Sequence, residues 1–256
     1  MNPWTQKRRY STRSIEAVMT ELEQVKAGMI LIADENFFVN PSRAKKICET
    51  IVERGIRKRF FVQARIEIFE RPDVLQAAVN AGIKVMLLGI ESPTDRILEQ
   101  LNKGFDTEKV RRAFEVFRQF PIYYHGYFIY GNIGETDEEM LRIPVFAREL
   151  GLDSITYQKL RVDKYSPLRE LVEADQRYFI GDDRIVYRKG IGRQGLKKIS
   201  REITRSFYTP AHLVSILRKL FSVGLFTGRD VPALLSSLPA VLYDMTGREF
   251  KKMVKR

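Results

Sequence analysis

The sequence predicts an α/β fold with parallel strands, followed by a basic, mainly helical region. Short apolar runs, each continuous rather than alternating, recur between segments whose apolar residues have helical spacing. Almost every run ends in polar residues, as strands of an α/β sheet do. The charge is also unevenly placed. Residues 1–183 hold 28 basic and 28 acidic side chains, whereas residues 184–256 hold 16 and 4, so the net +12 belongs to the second region.

Residues 1–13 are basic and irregular. Ser14 is placed to cap a helix through about residue 26, with Ile15, Val18, Leu22 and Val25 at helical spacing and Gly28 after it. Residues 29–33 form a short apolar strand that stops at Asp34, Glu35 and Asn36. Pro41 opens a second helix with Ala44, Ile47, Cys48, Ile51 and Val52 on one face. Cys48, on that stripe, reads as a small buried hydrophobe. The unit then repeats, with strand 60–64 ending at Arg65 and Glu67 and helix 72–81 closed by Gly82. Strand 83–90 ends at Glu91, Ser92 and Pro93; helix follows through Leu101, breaks at Asn102-Lys103-Gly104, and resumes over 107–119.

The stretch 122–139, IYYHGYFIYGNIGETDEE, organises the chain. It reads as a buried strand, a tight turn holding Gly131 and Gly134, and a helix start with Thr136 as N-cap and Glu138 and Glu139 in the first turn. Glycine lets the backbone lie against a flat ligand, and a helix N-terminus favours a polar group beside it. The helix runs to Gly151, and residues 153–160 form a fifth strand.

Five strands are too few for an eight-stranded barrel; an open Rossmann-like sheet and a partial barrel both fit. In either, ligands gather at the carboxyl ends of the strands. Polar groups stand at all five ends: Asp34/Glu35/Asn36, Arg65/Glu67, Glu91/Ser92, Asn132/Glu135 and Lys159/Arg161. Such a succession predicts a shared pocket.

Past Tyr165-Ser166-Pro167 the alternation stops, which places a boundary near 171/172. Residues 175–195 read as a hairpin turning at Gly181-Asp182-Asp183, and 195–207 as a basic helix. Thr209-Pro210 starts an amphipathic helix with Leu213, Ile216, Leu217, Leu220 and Phe221 beside Arg218 and Lys219. Residues 231–243 are apolar and broken by two prolines. The apolar stripe within 196–228 has two readings. Packing against the α/β core is the preferred one; peripheral contact with an anionic membrane or a lipid-like substrate is the other. A nucleic-acid partner for the basic region also stays open.

No apolar run reaches the ~18–20 residues of a membrane span, and the start is polar. One cysteine excludes an internal disulfide framework and a multi-cysteine metal site within these residues. A cytoplasmic home is the expectation. His125 and His212 stand apart, so no metal ligands are assigned; His125, in an apolar strand, reads as a core or pocket residue. Phosphate-binding loops and the Gly-x-Ser-x-Gly nucleophile turn are absent.

The order of motifs resembles the core of the radical S-adenosylmethionine (SAM) enzymes, in particular the cobalamin-dependent-type branch. RRYSTRSIEAVMTELEQV is similar to the segment after the cluster loop, and ADENFFVNP to a variant of the acidic motif after the second strand. LLGIESPTDRILEQLNKG, FIYGNIGETDEEM and YQKLRVDKYSPLREL resemble the fourth-, fifth- and sixth-strand segments. The likeness runs from about Arg8 to Leu171.

The resemblance implies a partial, TIM-like (β/α) barrel of six strands, the first of which has no counterpart here. That leaves the edge of strand 29–33 unpaired. It implies SAM and a 4Fe–4S cluster as cofactors, cobalamin in this branch, and a small-molecule or lipid-like substrate. Glu35 or Asp34 matches the acidic position at the SAM amino group, and Glu91 and Ser92 the site near ribose and methionine. Gly131, Ile133, Gly134 and Glu135 match the adenine-facing motif, Leu160 the strand edge beside it, and Arg65 or Glu67 a holder of the methionine end. No catalytic residue is assigned. The family's Cys-x-x-x-Cys-x-x-Cys has no counterpart, since only Met1 precedes Asn2-Pro3-Trp4. The implied activity is SAM-dependent radical chemistry or cobalamin-assisted methyl transfer, with the chain as written expected to be an inactive fragment whose upstream frame encodes the cysteines. A non-catalytic SAM- or nucleotide-binding module is the alternative.

Overall fold

The structure, a computed structural model, describes residues 11–232 and Ser236; the irregular start and most of the apolar segment 231–243 lie outside the described residues. Helix α1 (Ile15–Gln24) begins where Ser14 Oγ accepts from the Ala17 amide at 3.1 Å. It ends two residues before the expected 26, at an extended Val25. Strand β1 (Met29–Ile32), helix α2 (Pro41–Glu53, capped by Asn40) and strand β2 (Arg59–Ala64) follow. A 3-10 turn over Ile66–Glu70 then takes up the residues expected only to end the strand.

Helix α3 (Pro72–Asn80), strand β3 (Ile83–Glu91), helices α4 (Asp95–Gln100) and α5 (Thr107–Phe117), and strand β4 (Tyr123–Tyr130) continue the alternation. The helix expected to run unbroken to Gly151 is two: α6 (Asp137–Leu141) and α7 (Ile143–Leu150). Pro144 in the first turn of α7 has no amide to continue α6, so the chain restarts there. Strand β5 (Ser154–Lys159) closes the series. Helix α8 (Leu168–Ala174) was not expected; the hairpin of β6 (Tyr178–Ile180) and β7 (Val186–Arg188) was. Helices α9 (Gly192–Phe207) and α10 (Pro210–Ser222) follow.

The five strands β1 to β5 lie in sequential order, all parallel. A doubly wound sheet reverses its order at a switch point, whereas an arc of a (β/α) barrel does not. The order therefore decides for a barrel-like arc. β1 pairs with β2 alone and leaves its other edge free among the described residues, with Leu31 exposed.

Alternate strand residues divide the sheet's two faces. Phe60, Val62, Met86, Leu88, Tyr124 and Phe128 pack with Ile47, Leu75, Phe114 and Phe146 of the outer helices in one core. The region after 171 is continuous with that core, since Tyr187, Leu196, Ile199, Ile203 and Phe207 belong to it. The inner face carries Phe61, Val85, Leu87 and Tyr123 near the amino ends of the strands. There α10 and its continuation cover it with Ile216, Leu220, Val223 and Leu225.

Candidate functional site

Strand β3 ends in a bulge. Its pairing with β4 shifts between Gly89 and Glu91, and Glu91 takes φ 72°, a left-handed conformation that costs a side-chain-bearing residue of order 1–3 kcal/mol. The Glu91 carboxylate folds back over the inner face, so that a Cβ at Gly89 would stand 2.8 Å from its Oε1. Lys103 Nζ lies 3.0 Å from the same oxygen, and both side chains are largely buried. Arg65 donates to the Lys103 carbonyl at 2.7 Å and to Glu67 at 2.7 Å. Burial opposes ionisation of Glu67, yet the Arg65 hydrogen bonds hold its pKa below the ordinary carboxylate value. Ser92 is fully buried and caps its own turn, its Oγ accepting from the Thr94 amide at 3.2 Å.

The turn after β4 has Gly131 at φ 75° and Gly134 at φ 73°, values that favour glycine. Thr136 and Glu139 form the capping box that starts α6. Just before this box, Glu135 folds back into the turn, its Oε2 accepting from the Asn132 amide at 2.8 Å and from Asn132 Nδ2 at 3.0 Å. Burial pushes Glu135 up to about 7 against the pull of those bonds.

Three later or neighbouring segments hold this turn. Tyr178 of the hairpin accepts from the Gly134 amide at 2.7 Å. Arg188 donates to Asp137 at 2.6 Å, and Arg96 of α4 donates to the Gly134 carbonyl at 3.2 Å and to Glu139 at 2.9 Å. Ile133 and Leu160, far apart in sequence, share one apolar cluster with Val162, Tyr178 and Val186, and Leu101 at the end of α4 packs on it.

Five buried side-chain polar atoms have no protein partner among the described residues: Asn132 Oδ1 and Glu135 Oε1 in the glycine turn, Thr94 Oγ1 and Gln100 Oε1 at the two ends of α4, and Arg169 Nε. Buried polar atoms are normally paired.

The expected site residues thus fall into two places. Arg65, Glu67, Glu91, Ser92, Gly131, Ile133, Gly134, Glu135 and Leu160 are linked through Lys103, α4 and the hairpin around the carboxyl ends of β2 to β5. Asp34 instead lines a cavity of about 550 Å³ beside β1 with Leu31, Asn36 and Arg43, while Glu35 stands exposed on the adjoining turn. Lys103, Arg96, Tyr178 and Arg188 were missed by the sequence reading. Only the Asn-Lys-Gly break hinted at Lys103, and nothing local marks the other three.

On the inner face, His125 Nδ1 lies 2.7 Å from Ser154 Oγ and its ring meets Tyr127 edge-on at 4.9 Å. Burial depresses the His125 pKa, so the ring is neutral near pH 7. Cys48 is fully buried, as expected, with burial and then the Glu49 charge pushing its thiol up to about 12. No group of three or more His, Cys, Asp or Glu side chains able to hold a metal occurs among the described residues. No helix among them is long and apolar enough to cross a membrane.

Residues 1–146 match the family model described as the radical SAM superfamily, and the chain belongs to that superfamily. The family uses SAM and a 4Fe–4S cluster. An uncharacterized methyltransferase of Pyrococcus horikoshii is 27% identical over 212 residues, 78% of this chain and 46% of the relative. The hopanoid C-3 methylase of Methylococcus capsulatus is 29% identical over 116 residues, 45% of this chain and 22% of the relative. The solved radical SAM methyltransferase TsrM from Kitasatospora setae, with tryptophan substrate and a SAM analogue bound, superposes with TM-score 0.65 at 18% identity, covering 79% of this chain and 47% of its own. The chain therefore spans less than half the length of these relatives. The fold neighbour agrees with the barrel arc read from strand order.

The two cofactors fare differently against the residues present. A 4Fe–4S cluster needs several thiolates; Cys48 alone, buried and held protonated, does not fit it. The left-handed Glu91 held by Lys103, the apolar pair Ile133/Leu160 and the glycine turn offer the charge, the apolar surface and the bare backbone that a ligand with a flat base and charged ends would need.

Proposed function

We propose that this chain binds SAM across the carboxyl ends of β3 and β4 and serves as the SAM-binding part of a cobalamin-assisted methyltransferase. The observation that carries the reading is the left-handed Glu91, held by Lys103 at the end of β3, beside the Gly131–Gly134 turn at the end of the neighbouring β4. Methyl transfer draws support from the names of the Pyrococcus and Methylococcus relatives, and cobalamin from the TsrM structure that holds it together with a 4Fe–4S cluster.

SAM supplies a transferable methyl group and, on reductive cleavage, a 5′-deoxyadenosyl group. This chain's residues bind and orient it. Glu91, already desolvated and pinned by Lys103, accepts from ribose hydroxyls or the ammonium, while Ile133 and Leu160 flank the adenine. The Gly131–Gly134 backbone lies along the base edge. Arg65, shared with Glu67, stands at the methionine end. The inner face below, with neutral His125 and Ser154, faces the substrate.

Calorimetry with SAM tests the reading. Glu91→Gln keeps the shape and removes the charge, and is expected to weaken binding by roughly 1.5–3 kcal/mol, the scale of a charged hydrogen bond. An unchanged dissociation constant removes Glu91 from the site. Iron and sulfide analysis after anaerobic reconstitution of these 256 residues is expected to find essentially no cluster; about four irons per chain, the content of a cluster, would refute that part.

A further inference from the structure

Helix α10 is covered on one side only. Ile216 and Leu220 turn inward onto the strand ends, yet no residue of the helix is fully buried. Leu213, Val214, Leu217 and Phe221 are exposed, Leu217 by 52% and Phe221 by 40%. At about 100° per residue these four fall within a single arc roughly 100° wide that adjoins the packed side. The packed reading of the stripe thus holds for half of it and fails for the other half. Single exposed leucines are ordinary, but a contiguous apolar stripe on one helix marks an interaction surface.

The charge on this helix and on the one before it in the chain says which kind. Arg218 borders the stripe on the same helix. Lys197, Lys198, Arg201 and Arg205 are exposed on α9, which joins α10 through Tyr208 and Thr209 alone, and Glu202 is the acidic neighbour. None of these five cations enters an ion pair among the described residues. In sequence, the apolar residues 233–243 and the basic KKMVKR at 251–256 continue the same composition. Two copies pressed stripe to stripe would bring like charges together. A nucleic acid would use the cations and leave the stripe in water. An anionic bilayer surface uses both, as interfacial amphipathic helices do.

We propose that α9 and α10 form a peripheral docking surface for anionic lipid, with Leu213, Val214, Leu217 and Phe221 entering the headgroup boundary. The inference is independent of the SAM reading, because α10 covers the amino ends of the strands, the opposite end from Glu91. Docking through this face leaves the carboxyl end open.

The full chain is tested by sedimentation with phosphatidylcholine vesicles containing or lacking phosphatidylglycerol. Binding is expected on the anionic vesicles only, fading as salt rises from about 0.1 to 0.5 M. Leu217→Ser with Phe221→Ser is expected to weaken it at least ~10-fold with an unchanged melting curve and unchanged SAM affinity. A Leu217→Cys variant, with native Cys48 buried, is expected to react fast with a maleimide in solution and to be shielded by anionic vesicles. Three results would overturn the proposal. They are no vesicle binding, equal binding by the double variant, and slow labelling of Leu217→Cys without lipid, which would show that a second copy or the chain's own later residues cover the stripe.

Discussion

The two ends of one sheet are closed by opposite means. At the amino end, Ile216, Leu220, Val223 and Leu225 cover Val85 and Tyr123 with apolar side chains, joined by the hydrogen bond from Arg59 to the Leu225 carbonyl. At the carboxyl end, closure uses a strained glutamate, two left-handed glycines and hydrogen bonds from Arg96, Tyr178 and Arg188, with polar atoms left unpaired. The first end follows the rules for stability. The second departs from them with a left-handed glutamate and buried polar atoms without a partner, and such departures are what points to a site within a fold.

The contrast is broken most severely at the amino end. Leu225→Ala leaves a cavity beneath Val85 and is expected to cost about 2–4 kcal/mol in denaturant unfolding, with SAM affinity unchanged in the folded fraction. An effect under about 0.5 kcal/mol would mean that the amino end is not closed by packing.

Next in size, and opposite in sign, is Glu135→Gln. The folded pKa of about 7 lies above the ordinary 4.5, so the folded chain holds the proton more tightly than the unfolded one. Stability from this group is full below pH 4.5 and is lost as the pH rises through 7. The glutamine variant is expected to be more stable than the parent by roughly 2–3 kcal/mol at pH 8 and equal to it near pH 4. A parent whose stability rises between pH 5 and 8 relative to the variant would show that Glu135 is ionised in the fold.

Smaller still is Tyr178→Phe, which removes the acceptor for the Gly134 amide and is expected to cost about 0.5–1.5 kcal/mol. Weaker SAM binding should accompany it, since the turn loses its clamp. Gly89→Ala sharpens the comparison further. Its added methyl meets the movable ends of Glu91 and Lys103, so unfolding is expected to change by less than about 1 kcal/mol, while SAM affinity falls because Glu91 is pushed aside. Unchanged affinity would separate Glu91 from the ligand.

Much of this was legible in the sequence. The apolar runs at 60–64 and 83–90 were readable as strands because parallel strands are covered by helices and read as apolar runs. Ser14 and Thr136 gave true caps, because capping is a contact three residues long. The glycine turn was readable for the same reason. The strand order was not readable, and neither was the hairpin's grip on that turn, since Tyr178 and Gly134 are 44 residues apart and neither position is marked locally. Helix α10 was half legible. Its amphipathic spacing showed an apolar face, but the breadth of that face exceeds what the strand ends can cover, and only the structure shows the remainder.

The sequential order of the strands also sets how the chain assembles. Each strand finds its partner in the next βα unit, so the sheet extends by short loop closures as the polypeptide lengthens. The amino end of the sheet breaks this economy of distance. Arg59 waits for the Leu225 carbonyl, 166 residues later, before its hydrogen bond at 2.5 Å can form. Until α10 has left the ribosome, Phe61, Val85 and Tyr123 face water on a nearly finished sheet. Between the synthesis of β5 and that of Leu225 these apolar groups lack the cover they have in the finished fold.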